Sequence, residues 1–509
     1  MRHKTKNKEY DIVLVSPPSR MINHYRPPLA LMYIGGYLRH KGLRVKIIDI
    51  PMKLIIRDKK FYENIDHELI KIEKQMVEEF ANLKTKAVGI TFYTPEYLEV
   101  FSLAKKFKQI DPSVKIIVGG IHPTFYPEEI LTEKECPIDF AVIGEGEITA
   151  YELVKAILKR KKDYKNINGI AYLDQKKKKV VITARRPLCE NLDEISYPAY
   201  DLVDMDYYTN ASPYAIRGCF LRSVYIMATR GCPGQCTFCV AKNLKAFNGG
   251  GSYSRVRSAK SLLAELKYLK NKYKVDSFYF IDDLFTINKE NVLEFCQGLK
   301  KQHLNLLWGC SSKVSTLNEE IIKNMVLAGC IQMDFGVERG SNEALNLVKK
   351  GITVEMVEKV FSLCHKYNIR TFANFLVNLP KETEKDLEDI IKLIKRLNSE
   401  IVSLNIFTPY PGTEIYQNYG YKFKSEEYPM LANASTLIDK YPQKLKFANH
   451  NINLLDWVRK YSKIYNRIGN NLKFYTNFQY WKILLKSPKK SNYLSQTGLL
   501  IREFINQKL

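Results

Sequence analysis

Residues 231–239 read Gly-Cys-Pro-Gly-Gln-Cys-Thr-Phe-Cys, and this stretch decides the fold. Its thiols, Cys232, Cys236 and Cys239, have the spacing C-x3-C-x2-C and follow directly on an apolar run, which predicts a loop at the end of a strand. A structural zinc site needs four ligands, and no fourth cysteine or histidine stands at a recognised zinc spacing from these three. Three thiolates on a four-iron cluster instead leave one iron open to a further ligand.

The chain after this loop alternates between strands and helices. Amphipathic helices are predicted, for example, at 258–272 and 318–328. Strands are predicted at 223–229, 277–282, 306–312, 332–338, 370–377 and 401–407. Six strand–helix units of this length predict a partial (β/α)6 barrel, smaller than the closed eight-unit form.

The cysteine loop resembles the signature of radical S-adenosylmethionine (SAM) enzymes. An aromatic residue, Phe238, precedes the last cysteine, as is typical of that superfamily. The resemblance implies that Cys232, Cys236 and Cys239 hold a [4Fe–4S] cluster and that SAM binds its open iron. It also implies that an electron from the cluster cleaves SAM and releases a 5′-deoxyadenosyl radical. A flavodoxin or ferredoxin would supply that electron.

Two further barrel segments are similar to SAM-binding elements of the same family. Asp282 and Asp283 end the second strand, where family members place polar groups for the SAM amine. The resemblance therefore implies that both bind SAM, together with Phe238, while a helix N-cap is the ordinary alternative for an aspartate there. Residues 335–341 resemble the element whose carboxylate faces the SAM ribose, which implies that role for Glu338.

The family motifs are not matched at every position. Arg339 stands where the family has Ser, and residues 378–383 resemble G-L-P-G-E-T with Asn and Lys in place of its two glycines. Residues 409–413 match the ending of the sixth strand closely. The resemblance covers about residues 223–415, and the order of its elements agrees throughout.

The N-terminal part predicts a second α/β unit. Helices are expected at 29–41, 63–83, 95–109 and 149–159, between strands at 11–16, 44–50, 87–92, 115–118 and 139–143. Buried strands alternating with helices predict a parallel, Rossmann-like (flavodoxin-like) sheet. Ligands of such sheets bind at the carboxyl ends of the strands, where glycines cluster in this sequence.

Residues 10–160 resemble the cobalamin-binding domain of cobalamin-dependent radical SAM proteins. The segments that carry the resemblance are 16–18, 27–29, 118–123 and 143–147. It implies that cobalamin is lined by Thr91, Thr94, Gly119 and Gly120, since glycines let a large ring approach the backbone. An unliganded Rossmann-like domain is the alternative.

No histidine stands in a cobalt-ligating motif. The D-x-H-x-x-G loop of other cobalamin proteins is absent, and His24 follows the first strand without its Asp or Gly. The implied cobalamin would therefore be bound without a protein imidazole on cobalt. We interpret His122, beside Gly120, as a turn histidine and not as a catalyst.

These observations predict four regions, namely a cobalamin-type domain at 1–160, a connector with a β-hairpin at 161–222, the barrel at 223–415 and a basic, aromatic, helical C-terminal region at 416–509. No apolar run is long enough to span a membrane, and the first apolar run is too short for a signal peptide, so a cytoplasmic location is expected. Ten cysteines without paired spacing fit a reducing compartment.

The net charge of +25 has two interpretations. Nucleic acid is an unlikely partner, because many of the lysines belong to ordinary amphipathic helices. Residues 441–509, however, carry 13 Lys or Arg among many aromatic residues. That composition suits peripheral contact with an anionic membrane, or a cap that packs its aromatic residues on the barrel.

The domain pairing implies a cobalamin-dependent methyltransferase that acts on an unactivated carbon of a small molecule, lipid or peptide. Radical cyclisation or rearrangement without methyl transfer is the alternative. Methylthiolation of tRNA would need a second cysteine triplet, and the first 150 residues contain only Cys136. A cobalamin sensor would have no use for an open iron.

Overall fold

The computed structural model describes residues 8–20, 26–50, 65–210, 212, 215–217, 219, 221–250, 252–420, 422–432 and 442–465. The chain divides into two compact units, each built from several chain segments. The first unit contains residues 1–204, 240–253 and 409–437, and the second contains residues 205–239, 254–408 and 438–509.

The N-terminal part of the first unit is an α/β fold. Its strands are β1 (Lys8–Tyr10), β2 (Ile12–Val15), β3 (Val45–Ile48), β4 (Leu83–Thr85), β5 (Ala87–Thr91), β6 (Lys115–Gly119), β7 (Phe140–Val142), β8 (Ile170–Asp174) and β9 (Lys179–Ile182). Its helices are α1 (Leu29–His40), α2 (Ile65–Ala81), α3 (Tyr97–Ile110), α4 (Ile121–Phe125), α5 (Pro127–Thr132) and α6 (Glu147–Leu158).

Within the described residues the main sheet of this unit has seven strands in the order β3-β2-β5-β6-β7-β8-β9. The first five run parallel in the flavodoxin-like order, which confirms the predicted fold class. The hairpin β8–β9 adds to β7 in antiparallel fashion and extends this sheet. The sequence had placed that hairpin in a connector.

The second part of the chain adds eight strands among its described residues. They are β10 (Ser223–Ile226), β11 (Thr229–Arg230), β12 (Arg255–Val256), β13 (Ser277–Phe280), β14 (Leu307–Ser312), β15 (Cys330–Glu338), β16 (Arg370–Val377) and β17 (Ile401–Ile406). Its helices are α7 (Met205–Tyr208), α8 (Ala241–Leu244), α9 (Ala259–Tyr273), α10 (Lys289–Lys301), α11 (Glu319–Leu327), α12 (Asn342–Leu347), α13 (Val354–Lys366), α14 (Glu384–Leu397), α15 (Glu414–Asn418) and α16 (Leu454–Tyr465). Helices α8 and α15 belong to the first unit.

The second unit is the predicted partial barrel. Its described residues form a six-stranded parallel sheet in the order β10-β13-β14-β15-β16-β17. One face of this sheet is covered by helices: Phe280 packs on Phe295 of α10, and Phe335 packs on Phe361 of α13. Because side chains alternate along a strand, the neighbours of these residues point to the opposite, inner face of the barrel.

The described start of the C-terminal region packs on the barrel. Helix α16 lies against β17 and buries Leu454, Leu455 and Val458. This helix packs on the barrel through aliphatic side chains, and its aromatic residues stay partly exposed. Residues 466–509, with most of the lysine-flanked aromatic residues, lie outside the described residues. No helix in the described part of the chain is long and apolar enough to cross a membrane.

Candidate functional site

The cysteine loop begins where β10 and β11 end. The backbone N–H groups of Ala228 and Thr229 donate to Oδ1 of Asp282 at 2.8 and 2.7 Å. Gly231 then takes a φ of +82°, a conformation that glycine adopts without steric cost. The end of β13 therefore fixes the point at which the chain turns into the loop.

The three thiols of this loop are partly exposed. A Cβ atom placed on Gly234 would lie 3.3 Å from Sγ of Cys232 and 3.8 Å from Sγ of Cys236, so these two sulfurs face one point. The Thr237 N–H donates to the Val348 carbonyl at 3.1 Å and ties the loop to the segment after α12. The loop is thus held at both of its ends.

Lys350, in that same segment, brings a positive charge to the cysteines. Its Nζ lies 2.8 Å from Oε1 of Glu338 and 5.7 Å from the centroid of the Phe238 ring. Burial works to lower the pKa of Lys350, but Glu338 and the sulfurs of Cys236 and Cys239 outweigh it and raise that pKa. Lys350, whose side chain is 12% exposed, is therefore a largely buried cation beside two of the three thiols.

A missing side chain makes room for this ion pair. Gly336 lies on the inner face of β15, and a Cβ atom there would stand 2.2 Å from Oε1 of Glu338 and 2.7 Å from Nζ of Lys350. No larger residue fits without displacing the pair. The Gly-Val-Glu pattern at 336–338 is thus explained by the space that the Glu338–Lys350 pair occupies.

On β16 and β17 the inner face of the barrel near this pair carries polar, uncharged side chains. Gly336, Asn374 and Ser403 stand in register on β15, β16 and β17. Asn374, Ser403 and Asn405 are partly exposed, whereas Val402, Leu404 and Ile406 on the helix-covered face are buried. Hydroxyl and amide groups are therefore available to a molecule bound inside the barrel.

The donor set fits a multi-iron cluster better than a single ion. Among the described residues no three His, Cys, Asp or Glu side chains, the cysteine triplet included, are grouped to hold one metal ion. In a four-iron cluster each thiolate binds a different iron, so the three sulfurs need not lie around a single point. Three thiols and a nearby cation match the needs of an anionic cluster with one open iron.

The second candidate site lies at the carboxyl edge of the first sheet, where Thr91, Gly119 and Gly120 meet. Gly120 has a φ of +110°, and a Cβ atom there would lie 2.8 Å from the Phe92 carbonyl and 3.0 Å from Oγ1 of Thr91. Glycine therefore lets the backbone after β6 pack closely against the end of β5, at the edge where ligands of such sheets bind. Thr94 is buried and its hydroxyl lies 3.0 Å from Nδ1 of His122, so it supports the edge from below.

His122 lies inside a cluster of aromatic rings. Phe92, Tyr97, Tyr126 and Tyr428 each have ring centroids 5.3–5.5 Å from its own. Burial lowers the pKa of His122 to about 3, so the imidazole is neutral at physiological pH. The ring is enclosed and bonded to Thr94, which agrees with its interpretation as a turn histidine.

Two family models match the chain. The model described as the radical SAM superfamily matches residues 226–394, and that of the B12 binding domain matches residues 21–154. An uncharacterized methyltransferase of Pyrococcus horikoshii is 34% identical over 81% of this chain and 83% of its own length. An anaerobic magnesium-protoporphyrin IX monomethyl ester cyclase of Rubrivivax gelatinosus is 30% identical over 79% of this chain and 68% of its own.

The chain belongs to the radical SAM superfamily and carries a B12-binding domain. Its fold agrees with that of the radical SAM methyltransferase TsrM from Kitasatospora setae, solved with cobalamin and a [4Fe–4S] cluster. The TM-score is 0.62 at 17% identity, over 82% of this chain and 79% of that one. The predicted family, fold class and cofactors are confirmed.

The departures of this radical SAM enzyme from the family motifs have structural reasons. Asn378 and Lys381, at the two glycine positions of G-L-P-G-E-T, have φ angles of +69° and +64°. Both positions therefore keep the left-handed backbone that glycine favours, and side chains have been accommodated in it. Arg339 is buried and pairs with Glu382. Its side chain therefore has a structural partner and does not take the place of the serine of the family motif.

Sequence reasoning missed Lys350. The residue stands in the run Lys349-Lys350, which resembles an ordinary solvated pair after a short helix. Only the fold shows that one of the two turns inward, to Glu338 and the cysteines. The spacing of twelve residues from Glu338 carries no signal without the connecting helix α12.

The structure gives Asp282 a role that neither earlier interpretation includes. Its Oδ1 bonds two backbone N–H groups, its Oδ2 has no hydrogen-bond partner among the described residues, and the next helical turn has Leu284 at its N-cap. Burial raises the pKa of Asp282 to about 7, against the lowering effect of those N–H groups. Asp283 reaches solvent, yet partial burial raises its pKa as well.

A pH-dependent stability follows from Asp282. Between pH 4 and 7 the unfolded chain has lost this proton and the folded chain keeps it, so the free energy of unfolding falls as pH rises through that range. The effect is at most about 4 kcal/mol, at about 1.4 kcal/mol per pH unit. Asp282→Asn is expected to flatten this slope in denaturant titrations at pH 5 and 8 of cluster-free protein. Parallel pH profiles for the variant and the natural protein would contradict the assignment.

Proposed function

We propose that this enzyme methylates an unactivated carbon in a cobalamin-dependent radical SAM reaction. The observation that carries the proposal is the meeting of the cysteine loop with the buried Glu338–Lys350 pair, in a chain that also has a B12-binding domain. Cys232, Cys236 and Cys239 would hold the [4Fe–4S] cluster, which supplies the electron that cleaves SAM into methionine and a 5′-deoxyadenosyl radical.

The chain's own residues suit the charges of SAM. A carboxylate is the only anionic group of SAM, and Lys350 is a buried cation beside the cysteines, so Lys350 would attract that carboxylate. Glu338 would accept hydrogen bonds from the ribose hydroxyls, as its resemblance to the family element implies. Phe238, whose ring centroid lies 5.7 Å from Nζ of Lys350, would add a cation–π contact to that charge. The polar inner face of β16 and β17 would take the substrate.

Cobalamin would lie on the carboxyl edge of the first sheet, against Thr91, Gly119 and Gly120. When bound, it supplies the methyl group for transfer. Gly120 allows the close packing of the two strand ends that form this edge, and the buried Thr94–His122 hydrogen bond lies beside it.

The bound cobalamin is expected to carry no protein imidazole on cobalt. His122 is enclosed by aromatic rings and bonded to Thr94, and His24 lies outside the described residues. Electron paramagnetic resonance of the cobalt(II) form should show no nitrogen splitting. Splitting that changes when the protein is labelled with ¹⁵N would show a protein ligand and contradict this expectation.

The product of SAM distinguishes methylation from the alternative reaction. Relatives of both kinds exist, since the matches include the cyclase of Rubrivivax gelatinosus and a methyltransferase. A methyltransferase uses SAM also as methyl donor and forms S-adenosylhomocysteine, whereas a radical cyclase forms only 5′-deoxyadenosine. We expect cobalamin-dependent S-adenosylhomocysteine from reduced, reconstituted protein. Formation of 5′-deoxyadenosine alone, with cobalamin bound, would favour cyclisation or rearrangement.

The enzyme would need two partners, an electron donor and a substrate. The chemistry requires both, and a flavodoxin or ferredoxin, both usually acidic, suits a chain with a net charge of +25. Contact of the tail with an anionic membrane rests on residues outside the described ranges. Salt-sensitive co-sedimentation with anionic vesicles would support it, and equal recovery in the supernatant would contradict it.

A further inference from the structure

Glu338 stands on a strained stretch of backbone. Its φ is +69°, and the N–H of Arg339 donates to the carbonyl of Val337 at 2.9 Å. A hydrogen bond across one residue with positive φ is a γ-turn, which is rare for a residue with a side chain. The pairing of β15 with β16 also shifts between Gly336 and Glu338. Such strain persists only where surrounding contacts hold it.

The side chain of Arg339 supplies those contacts. It is buried, and its Nη1 donates to the Leu376 carbonyl at 3.0 Å and pairs with Oε2 of Glu382. Its Nη2 lies 3.3 Å from Oδ1 of Asp386, at the start of α14. The guanidinium is therefore fixed on three sides, and it fixes the turn from which Glu338 projects.

Glu382 in turn is held by the C-terminal segment. Its Oε1 accepts the N–H of Asn378 at 2.8 Å and lies 3.2 Å from Nε2 of His450, whose side chain is 1% exposed. The Asn449 N–H donates to the Glu382 carbonyl at 2.8 Å, and Nδ2 of Asn378 donates to the Leu445 carbonyl at 2.7 Å. Residues 445–450 thus bond to both ends of the turn that carries Glu382.

Stability alone does not explain a histidine at this position. Nδ1 of His450 is buried and has no hydrogen-bond partner among the described residues. An apolar side chain of similar size would fill the same space and leave no buried nitrogen unpaired. What the imidazole adds is the contact of its Nε2 with Glu382.

We propose that His450 is a positioning residue for SAM binding. It holds Glu382, Glu382 holds Arg339, and Arg339 holds the γ-turn that directs Glu338 toward Lys350. The start of the C-terminal region then helps to position the residues that bind SAM. The inference rests on the proposed role of Glu338. The bond between Arg339 and Glu382 on which it depends is absent from the family motif, which has a serine at the position of Arg339.

The test compares His450→Leu with His450→Gln in full-length reconstituted protein. Leucine keeps the volume and removes the contact, whereas the Gln amide can donate to Glu382 in place of Nε2. We expect His450→Leu to weaken SAM binding about tenfold in equilibrium dialysis, with its iron content unchanged, and His450→Gln to restore most of it. His365→Leu is the matched control, because His365 also faces a carboxylate, Glu400 at 3.8 Å, and that carboxylate bonds Thr371 of β16 and not the γ-turn.

Three results would overturn the inference. One is SAM binding by His450→Leu equal to that of the natural protein, and another is an equal loss in His365→Leu. The third is a His450→Gln variant as weak as His450→Leu although both keep their iron and unfold at the natural temperature. Failure of the natural protein itself to bind SAM would instead overturn the proposed function, so the two failures are distinguishable.

Discussion

Replacing any one of Cys232, Cys236 and Cys239 by alanine is expected to remove most of the cluster iron and to abolish 5′-deoxyadenosine formation. Each thiolate binds a different iron, so the loss of one thiol leaves an iron of the cluster without its protein ligand. The loss should exceed about a thousandfold in SAM cleavage, because the electron reaches SAM only through the cluster. Iron and sulfide assays with product chromatography measure both quantities.

Cys189→Ala is the matched control for these variants. Cys189 is also partly exposed, but it belongs to the first unit and its thiol contacts the Asn191 carbonyl at 3.2 Å. Its iron content and SAM cleavage should equal those of the natural protein. A triplet variant that kept full 5′-deoxyadenosine production would end the assignment of these cysteines.

Lys350→Met is expected to weaken SAM binding by about a hundredfold or more and to destabilise the barrel. Removing one partner of a buried charge pair leaves Glu338 uncompensated, at a cost of about 3–5 kcal/mol. The same change removes the cation beside Cys236 and Cys239. SAM affinity, the unfolding midpoint and SAM cleavage should all fall.

Two further variants separate binding from stability. Glu338→Gln with Lys350→Met removes both charges, so it should recover stability but not SAM binding. Lys349→Met alters the exposed neighbour on the same segment and should change neither. If the double variant bound SAM as tightly as the natural protein, the ion pair would have a structural role only.

Much of the fold could be predicted because it depends on local pattern. The strand at 370–377 was predicted at its observed bounds, and the four helices predicted in the flavodoxin-like part were placed to within a few residues, although the short helices α4 and α5 were not predicted. The cysteine loop could be placed at a strand end because Gly231 and Pro233 interrupt an apolar run. The spacing of apolar residues and the positions of glycine and proline carry this information, and neither depends on distant parts of the chain.

The parts that could not be predicted depend on long-range contacts. Asp282 bonds backbone groups 53 and 54 residues away, and His450 reaches Glu382 across 68 residues. The Asp282 contacts depend on the pairing of β10 with β13, and the His450 contact depends on where the C-terminal segment packs, and no local pattern shows either. The grouping of residues 240–253 and 409–437 with the first unit is likewise invisible in chain order.

The iron and corrin contents of the natural protein and of one variant test most directly whether the chain holds both cofactors. Full-length protein is reconstituted anaerobically with iron, sulfide and hydroxocobalamin, then desalted. We predict about four irons and about one corrin per chain for the natural protein. The variant with Cys232, Cys236 and Cys239 all replaced by alanine should keep the corrin and lose the iron. Iron retained by that variant, or a natural protein that holds neither cofactor after desalting, would contradict the account.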